Sequence, residues 1–224
     1  MNFFNLLQSL DDLLYEVMSW LVFYPVTLWR TLRHPREMMD YADSELGDSE
    51  DRQYTDTLSP PLFLLLTLML GHAIELAVVG ESSIVKDNAG LAGLIDSDTN
   101  LVLLRVVIFS LFPLVMATHL VRKQRIGLER KTLRAPFYSQ CYIAAPFALG
   151  IGIGIGAIVF QLRWHWAPLL GLAMMAAALL WYGGLQIGWF ARNLKVSRWL
   201  GLWNASLAMI ECVVATIVAA ILFS

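Results

Sequence analysis

The chain has 224 residues, of which 58% are hydrophobic and 15% are charged, and its formal net charge is −2. An ordinary soluble domain has about 25% charged residues, so this composition excludes a water-soluble fold. The two cysteines, Cys141 and Cys212, lie in apolar stretches without metal-ligand spacing, which excludes a disulfide framework. We therefore expect most of the chain to be covered by lipid.

Within residues 3–32, the stretch 3–23 repeats apolar side chains at helical spacing, while Asp11 and Glu16 occupy the opposite face. The apolar stretch between Glu16 and Arg30 is interrupted by Pro25 and is too short for a helix that crosses a bilayer. The pattern predicts an interfacial amphipathic helix that lies along the membrane surface. A helix docked on the rest of the protein is the alternative.

Residues 33–57 are dominated by carboxylates and contain few apolar side chains. This composition predicts a solvated acidic linker that acts as a tether, with a docking segment for a basic partner as the alternative. Ser59 and the two prolines after it then indicate the start of a helix. Residues 1–57 are accordingly the predicted N-terminal region, and residues 58–224 the membrane part.

Five apolar stretches follow, each long enough for a helix to cross a hydrocarbon core of about 30 Å. They are residues 58–79, 101–121, 135–160, 167–191 and 199–223. The predicted fold class is therefore all-α: a polytopic membrane bundle of five transmembrane helices with an N-terminal interfacial amphipathic helix.

Lysine and arginine alternate between the connecting segments and predict the orientation of the bundle. They are abundant in 30–52, 122–134 and 192–198, whereas 80–100 and 161–166 each contain one. Basic loops stay on the cytoplasmic side during insertion. We therefore expect a cytoplasmic N-terminus and a C-terminus outside.

Ionisable side chains inside the spans are the most specific indication of function, because charge in hydrocarbon is costly unless it is paired or hydrated. Glu75 and Arg105 have similar predicted depths, so we expect them to pair. Glu211 has no cation at its depth, and we expect it to be protonated or hydrogen-bonded to His72 or Asn204. The predicted transport cluster is His72, Glu75, Arg105 and Glu211.

A second polar zone lies nearer the cytoplasmic side of the predicted bundle. Its members are His119, Tyr138, Gln140, Tyr142, Tyr182 and Gln186. Such groups either join helices through hydrogen bonds of about 0.6–2 kcal/mol each or line a route for a solute or proton. A metal site is disfavoured because the histidines and acids differ in depth. No catalytic motif is present, so catalytic residues and cofactors are not predicted.

The third span contains two overlapping pairs of glycines at GxxxG spacing. These are Gly150 with Gly154, and Gly152 with Gly156. Small residues let two helices approach closely in lipid. We favour packing within one chain, and packing across a homodimer or against another membrane protein is the alternative.

The loop 122–134 carries six cations beside the membrane, each worth about 1 kcal/mol against anionic lipid headgroups. They are Arg122, Lys123, Arg125, Arg130, Lys131 and Arg134. Contact with anionic headgroups is one interpretation, and a topology signal alone is the other. Nucleic-acid binding is not supported.

The layout resembles the Yip-type family of five-span membrane proteins, including its bacterial permease-like members. The resemblance rests on Ser59-Pro60-Pro61 before the first span, on the stretch 138–142, and on Ala144-Ala145-Pro146 in the third span. It implies a cytoplasmic N-terminal segment and a location in the bacterial inner membrane. It implies no catalytic residues.

These observations favour a permease-like inner-membrane protein that handles a small solute or lipid through the intramembrane polar cluster. The alternative is a membrane adaptor that acts through its cytoplasmic N-terminal region and its helix faces. An intramembrane enzyme is the third possibility.

Overall fold

A computed structural model describes the backbone of residues 3–49, 52–79, 98–159 and 165–222, and every regular element in these ranges is a helix. In chain order the helices are α1 (Phe3–Arg33), α2 (Pro35–Glu45), α3 (Pro60–Val79), α4 (Asp98–Lys123), α5 (Arg130–Val159), α6 (Ala167–Asn193) and α7 (Arg198–Leu222).

Within the described residues, five helices, α3 to α7, are long and apolar enough to cross a membrane. The predicted all-α bundle of five membrane helices is thereby confirmed, and the protein is a multi-pass membrane protein. The largest difference between the predicted and observed bounds of the spans is at the start of α5, which begins at Arg130 rather than at residue 135. Long basic side chains can extend towards water from the first turn of such a helix, so the change from polar to apolar residues marks the membrane surface, not the helix end.

Helix α5 is the centre of the bundle and packs against α2, α3, α4 and α6, while α7 packs against α4 and α6. Every residue from 139 to 148 is buried, because neighbours surround this part of α5 on all sides. Phe147 stacks on Tyr182 of α6 with 4.5 Å between ring centroids. By contrast, Leu180 of α6 and Val213 of α7 are exposed and face the surroundings of the bundle.

Residues 35–45 form α2, where the sequence predicted a solvated acidic linker. Met38, Met39 and Ala42 are almost completely buried on one side of this helix. Ser139 of α5 donates to the carbonyl oxygen of Met39 or to Asp43 Oδ1, each 2.8 Å away. The prediction of a linker is wrong here because three apolar side chains at helical spacing are enough to dock a short helix, and the many carboxylates around them concealed this stripe.

Helix α1 is continuous through Pro25, and its C-terminal part contacts the bundle. Thr27 Oγ1 accepts a hydrogen bond from the backbone amide of Leu58 at 3.0 Å, and the hydroxyl of Tyr24 donates to Thr67 Oγ1 at 3.2 Å. Residues 13–18 are exposed and largely apolar. The second half of α1 is therefore docked on the bundle, as the alternative interpretation predicted. An interfacial location of the first half stays a prediction.

The segments rich in lysine and arginine meet at one end of the bundle, which we call the basic end. There Gln124, after α4, donates to the carbonyl oxygen of Asn193 at the end of α6, at 3.3 Å. Arg192 of α6 makes two hydrogen bonds, of 2.9 and 2.6 Å, to the carboxylate of Asp40 in α2. The cytoplasmic location of this end stays a prediction.

Candidate functional site

A histidine and a glutamate meet between α4 and α7. His119 Nδ1 lies 3.2 Å from both Oε1 and Oε2 of Glu211, and His119 Nε2 lies 3.4 Å from Oδ1 of Asn204. Asn204 and Glu211 are seven residues apart, so they lie two turns apart on one face of α7. The imidazole ring bridges the space between them.

The two helices bring these groups together because they run in opposite directions. Helix α4 ends at the basic end and α7 begins there. Side chains on a helix tilt towards its N-terminus, so His119 tilts away from the basic end and Glu211 tilts towards it. Residues that differ in position along their own helices therefore meet at one depth.

Asn204 fixes the proton arrangement of the imidazole. Its Nδ2 donates to the carbonyl oxygen of Leu200 at 2.7 Å, which turns Oδ1 towards His119. An amide oxygen only accepts, so Nε2 of His119 must carry a proton. The contact between Nδ1 and Glu211 then holds one further proton, on the imidazole or on the carboxyl group. Both arrangements are electrically neutral as a pair.

The two members of the pair differ in exposure. The side chain of His119 is 5% exposed, and its ring meets Phe190 edge-on with centroids 5.5 Å apart. The side chain of Glu211 is 44% exposed. The pair therefore joins the buried interior of the bundle to the outer surface of α7.

The predicted partners of Glu211 are wrong, because its hydrogen-bonding partner is His119. His72 is 6% exposed, and neither of its ring nitrogens has a hydrogen-bond partner among the described residues. Glu75 is partly buried, and the side chain of Arg105 lies outside the described residues. The Glu75–Arg105 ion pair therefore stays a prediction.

The second polar zone is divided among several separate contacts. Gln140 of α5 and Gln186 of α6 are fully buried and exchange two hydrogen bonds, of 3.1 and 2.6 Å. Tyr142 donates to the carbonyl oxygen of Leu58 at 2.8 Å. The hydroxyl of Tyr182 has no partner among the described residues. The glutamine pair therefore fits the first of the two interpretations, in which polar side chains join helices through hydrogen bonds.

Tyr138, the remaining member of the zone, lies at the entrance of α5. The guanidinium of Arg134 lies 5.3 Å from the centroid of its ring. Both residues, with Trp20, Gln53 and Leu62, line a cavity of about 630 Å³ between α1, α5 and the segment before α3. Tyr138 therefore belongs to the surface of the basic end.

The four predicted packing glycines separate into two groups. A Cβ added to Gly154 lies 2.5 Å from Met175 Cγ and 2.9 Å from the carbonyl oxygen of Gly171, both on α6. A Cβ added to Gly150 lies 3.0 Å from Ala178 Cβ. Gly152 and Gly156 meet nothing within 4 Å. The first GxxxG pair therefore packs α5 on α6 within the chain.

The six predicted headgroup-binding cations lie at the basic end, where Arg130 and Arg134 line one cavity of about 290 Å³. Every residue from 122 to 131 is exposed, and Arg134, described above, is exposed beside Tyr138. Their contact with anionic lipids stays a prediction.

Sequence reasoning missed a polar network that joins α1, α2 and the segment before α3. Asp56 accepts from Arg30 Nη1 at 2.7 Å and from the Tyr41 hydroxyl at 2.6 Å. Burial acts to raise the pKa of Asp56, but these two donors and the positive charge of Arg30 outweigh it, so the pKa is lowered. Burial and the neighbouring carboxylate raise the pKa of Tyr41. The only signal in the sequence was the concentration of acids among arginines.

Comparisons with protein-family models, with curated proteins and with solved structures found no match. Among the described side chains, no group of three His, Cys, Asp or Glu residues is arranged to hold a metal ion. The resemblance to Yip-type proteins therefore stays a prediction, and functional inference rests on the geometry of the chain.

Proposed function

We propose that the protein is a permease-like membrane protein that couples movement of a small solute or lipid to a proton held by His119 and Glu211. The observation that carries this proposal is the hydrogen-bonded contact of the two ionisable groups within the bundle, at 3.2 Å, with Glu211 44% exposed. Charged or titratable groups within membrane spans commonly belong to substrate pathways or proton relays.

The pair is suited to this role because it is neutral only while it holds one proton between its members. Removal of that proton leaves an anion in a poorly hydrated setting, and addition of a second one leaves a cation. Either charged state is costly in hydrocarbon. Hydration of the site lowers the cost of both states, and a cationic solute beside the pair favours the deprotonated one. Proton release is thereby linked to solute binding or to a change of access.

Proton movement provides the test, because it can be measured before the solute is known. The protein is reconstituted in liposomes on a solid-supported membrane, and the external pH is stepped from about 7.5 to about 6.5. We expect a transient current that Glu211→Gln reduces at least tenfold. Glu129→Gln, which removes an exposed acid near the start of α5, is the matched control and should leave the current unchanged. Equal currents in the Glu211→Gln variant and the unmodified protein would contradict the proposal.

The adaptor alternative is favoured by one observation, the apolar surface of the first half of α1. Leu13, Met18 and Leu21 are 57%, 62% and 68% exposed. Such a surface is covered either by lipid or by another protein. A photo-crosslinking residue at position 18 should give one discrete protein adduct in cells if the protein is an adaptor. The same residue at position 180, on the exposed face of α6, is the control for lipid contact.

A further inference from the structure

A cavity of about 490 Å³ lies at the basic end between α2 and the connection from α6 to α7. Arg36, Arg192 and Arg198 contribute to its lining, together with Gly184 and Gly188 of α6. None of these arginines belongs to the basic loop 122–134. The cavity therefore concentrates positive charge at a second place near the membrane surface.

Two of the three arginines have no anionic partner among the described residues. Arg192 is neutralised by its two hydrogen bonds to Asp40, which also attach α2 to α6. Arg36 and Arg198 are exposed, and neither forms an ion pair within the part of the chain that the structure describes. The cavity therefore presents two uncompensated guanidinium groups to a ligand.

The glycines of α6 extend the cavity from the arginines towards the lipid-facing surface. A Cβ added to Gly188 lies 3.6 Å from Arg36 Nη2, whereas one added to Gly184 meets nothing within 4 Å. Leu180, one turn further, is 77% exposed. Residues 180, 184 and 188 share one helix face, and Gly184 lies about 14 Å along α6 from Asn193. This part of the cavity, which Leu185 and Ile187 also line, is an apolar groove that extends from the cationic rim to Gly184.

We infer that this cavity binds an anionic phospholipid, with its phosphate between Arg36 and Arg198 and an acyl chain along the groove at Gly184. Guanidinium groups bind phosphate oxygens through paired, charge-assisted hydrogen bonds. The apolar groove favours a lipid over free phosphate, because only a lipid covers both parts of the surface. The inference does not depend on the proton-coupled function.

Native mass spectrometry of the full chain in detergent tests the inference. Dioleoylphosphatidylglycerol should bind at lower concentration than dioleoylphosphatidylcholine, and a millimolar excess of inorganic phosphate should not displace it. Each of Arg36→Gln and Arg198→Gln should weaken binding about fivefold, since a juxtamembrane cation is worth about 1 kcal/mol. Arg33→Gln, an exposed arginine at the end of α1 that is not among the residues lining the cavity, should change it little.

The groove is tested without a change in charge. Gly184→Leu fills the cavity and should weaken binding, whereas Gly183→Leu, whose Cβ also meets nothing within 4 Å, should not. If Gly184→Leu does not fold, the arginine variants still decide. Equal loss in Arg33→Gln and Arg36→Gln would overturn the site in favour of general surface attraction. Displacement by phosphate, or equal binding of the two lipids, would also overturn it.

Discussion

His119 of α4 hydrogen-bonds to Glu211 of α7, and both carboxylate oxygens lie 3.2 Å from the same ring nitrogen. The two residues are 92 positions apart in the sequence, and their contact joins α4 to α7. It is the point at which stability and the proposed proton coupling depend on the same atoms.

Substitution of either member should destabilise the protein more than substitution of both. His119→Phe leaves the carboxyl group of Glu211 without its partner, and Glu211→Leu leaves Nδ1 without one. Thermal unfolding in detergent should show a coupling energy of about 0.5–3 kcal/mol for the double variant. Glu211→Gln should fold normally because its amide can donate to Nδ1. Strictly additive losses would show that the two side chains do not interact.

The pair also shows what the sequence does and does not specify. Span lengths depend on long apolar runs, so residues 167–191 predicted α6 to within two residues at its C-terminal end, Asn193. The contact between His119 and Glu211 was missed because the two residues lie at different distances from their helix ends. Depth counted along each helix ignores the opposite tilts of side chains on antiparallel helices.

The glutamine pair between α5 and α6 should follow the rule for buried polar partners. Gln140→Leu or Gln186→Leu leaves one buried amide without its hydrogen bonds and should lower the free energy of unfolding by about 1–3 kcal/mol. The double leucine variant should recover much of this loss, because no unsatisfied amide is left. Gln124→Leu, which removes an exposed hydrogen bond, is the control. A double variant no better than the worse single one would argue against the reciprocal contact.

Two glycines of α5 should respond differently to alanine. Gly154→Ala places a methyl group against the α6 backbone and should destabilise the bundle by about 1–3 kcal/mol. Gly152→Ala has open space and should be neutral or slightly stabilising, since alanine is the better helix former. Unfolding temperatures of the two purified variants decide. Equal effects would indicate that α5 does not pack on α6 through Gly154.

Asp56 should make a pH-dependent contribution to stability. Its pKa is lowered in the folded protein from an ordinary value of 3.8, so its contribution is present above about pH 4 and is lost as the pH falls through the folded value. Asp56→Asn should therefore lower the unfolding temperature at pH 7 and lower it less at pH 3. The effect should be small, because the partner Arg30 is exposed.

Asp48→Asn is the matched control for Asp56→Asn, since Asp48 is exposed and makes no side-chain ion pair among the described residues. It should show no difference from the unmodified protein at either pH. A gap between Asp56→Asn and the unmodified protein that widens in acid would contradict the assignment.

The orientation of the bundle should be visible in cysteine accessibility. A cysteine at position 128, in the exposed loop at the basic end, should react only from the cytoplasmic side. A cysteine at position 90, which lies outside the described residues, should react only from the other side. Accessibility in the reverse sense at position 128 would place the basic end outside the cell.

Residues 33–57 show why local composition alone led to a wrong prediction. Two of their carboxylates have cationic partners, since Asp40 binds Arg192 and Asp56 binds Arg30. Both partners are distant in sequence, 152 and 26 residues away. A count of charges within the segment contains no information about cations that only the fold brings close.

The packing of α2 on α5 sets the order in which contacts can form during synthesis of the chain. Met39 and its partner Ser139 are separated by 100 residues, which a ribosome takes about 5–20 s to synthesise at 5–20 residues per second. During that interval the methionine face of α2 lacks the surface of α5, and Arg192 emerges later still. These contacts of α2 therefore form only after α5 and α6 have been made, although α2 leaves the ribosome before both of them.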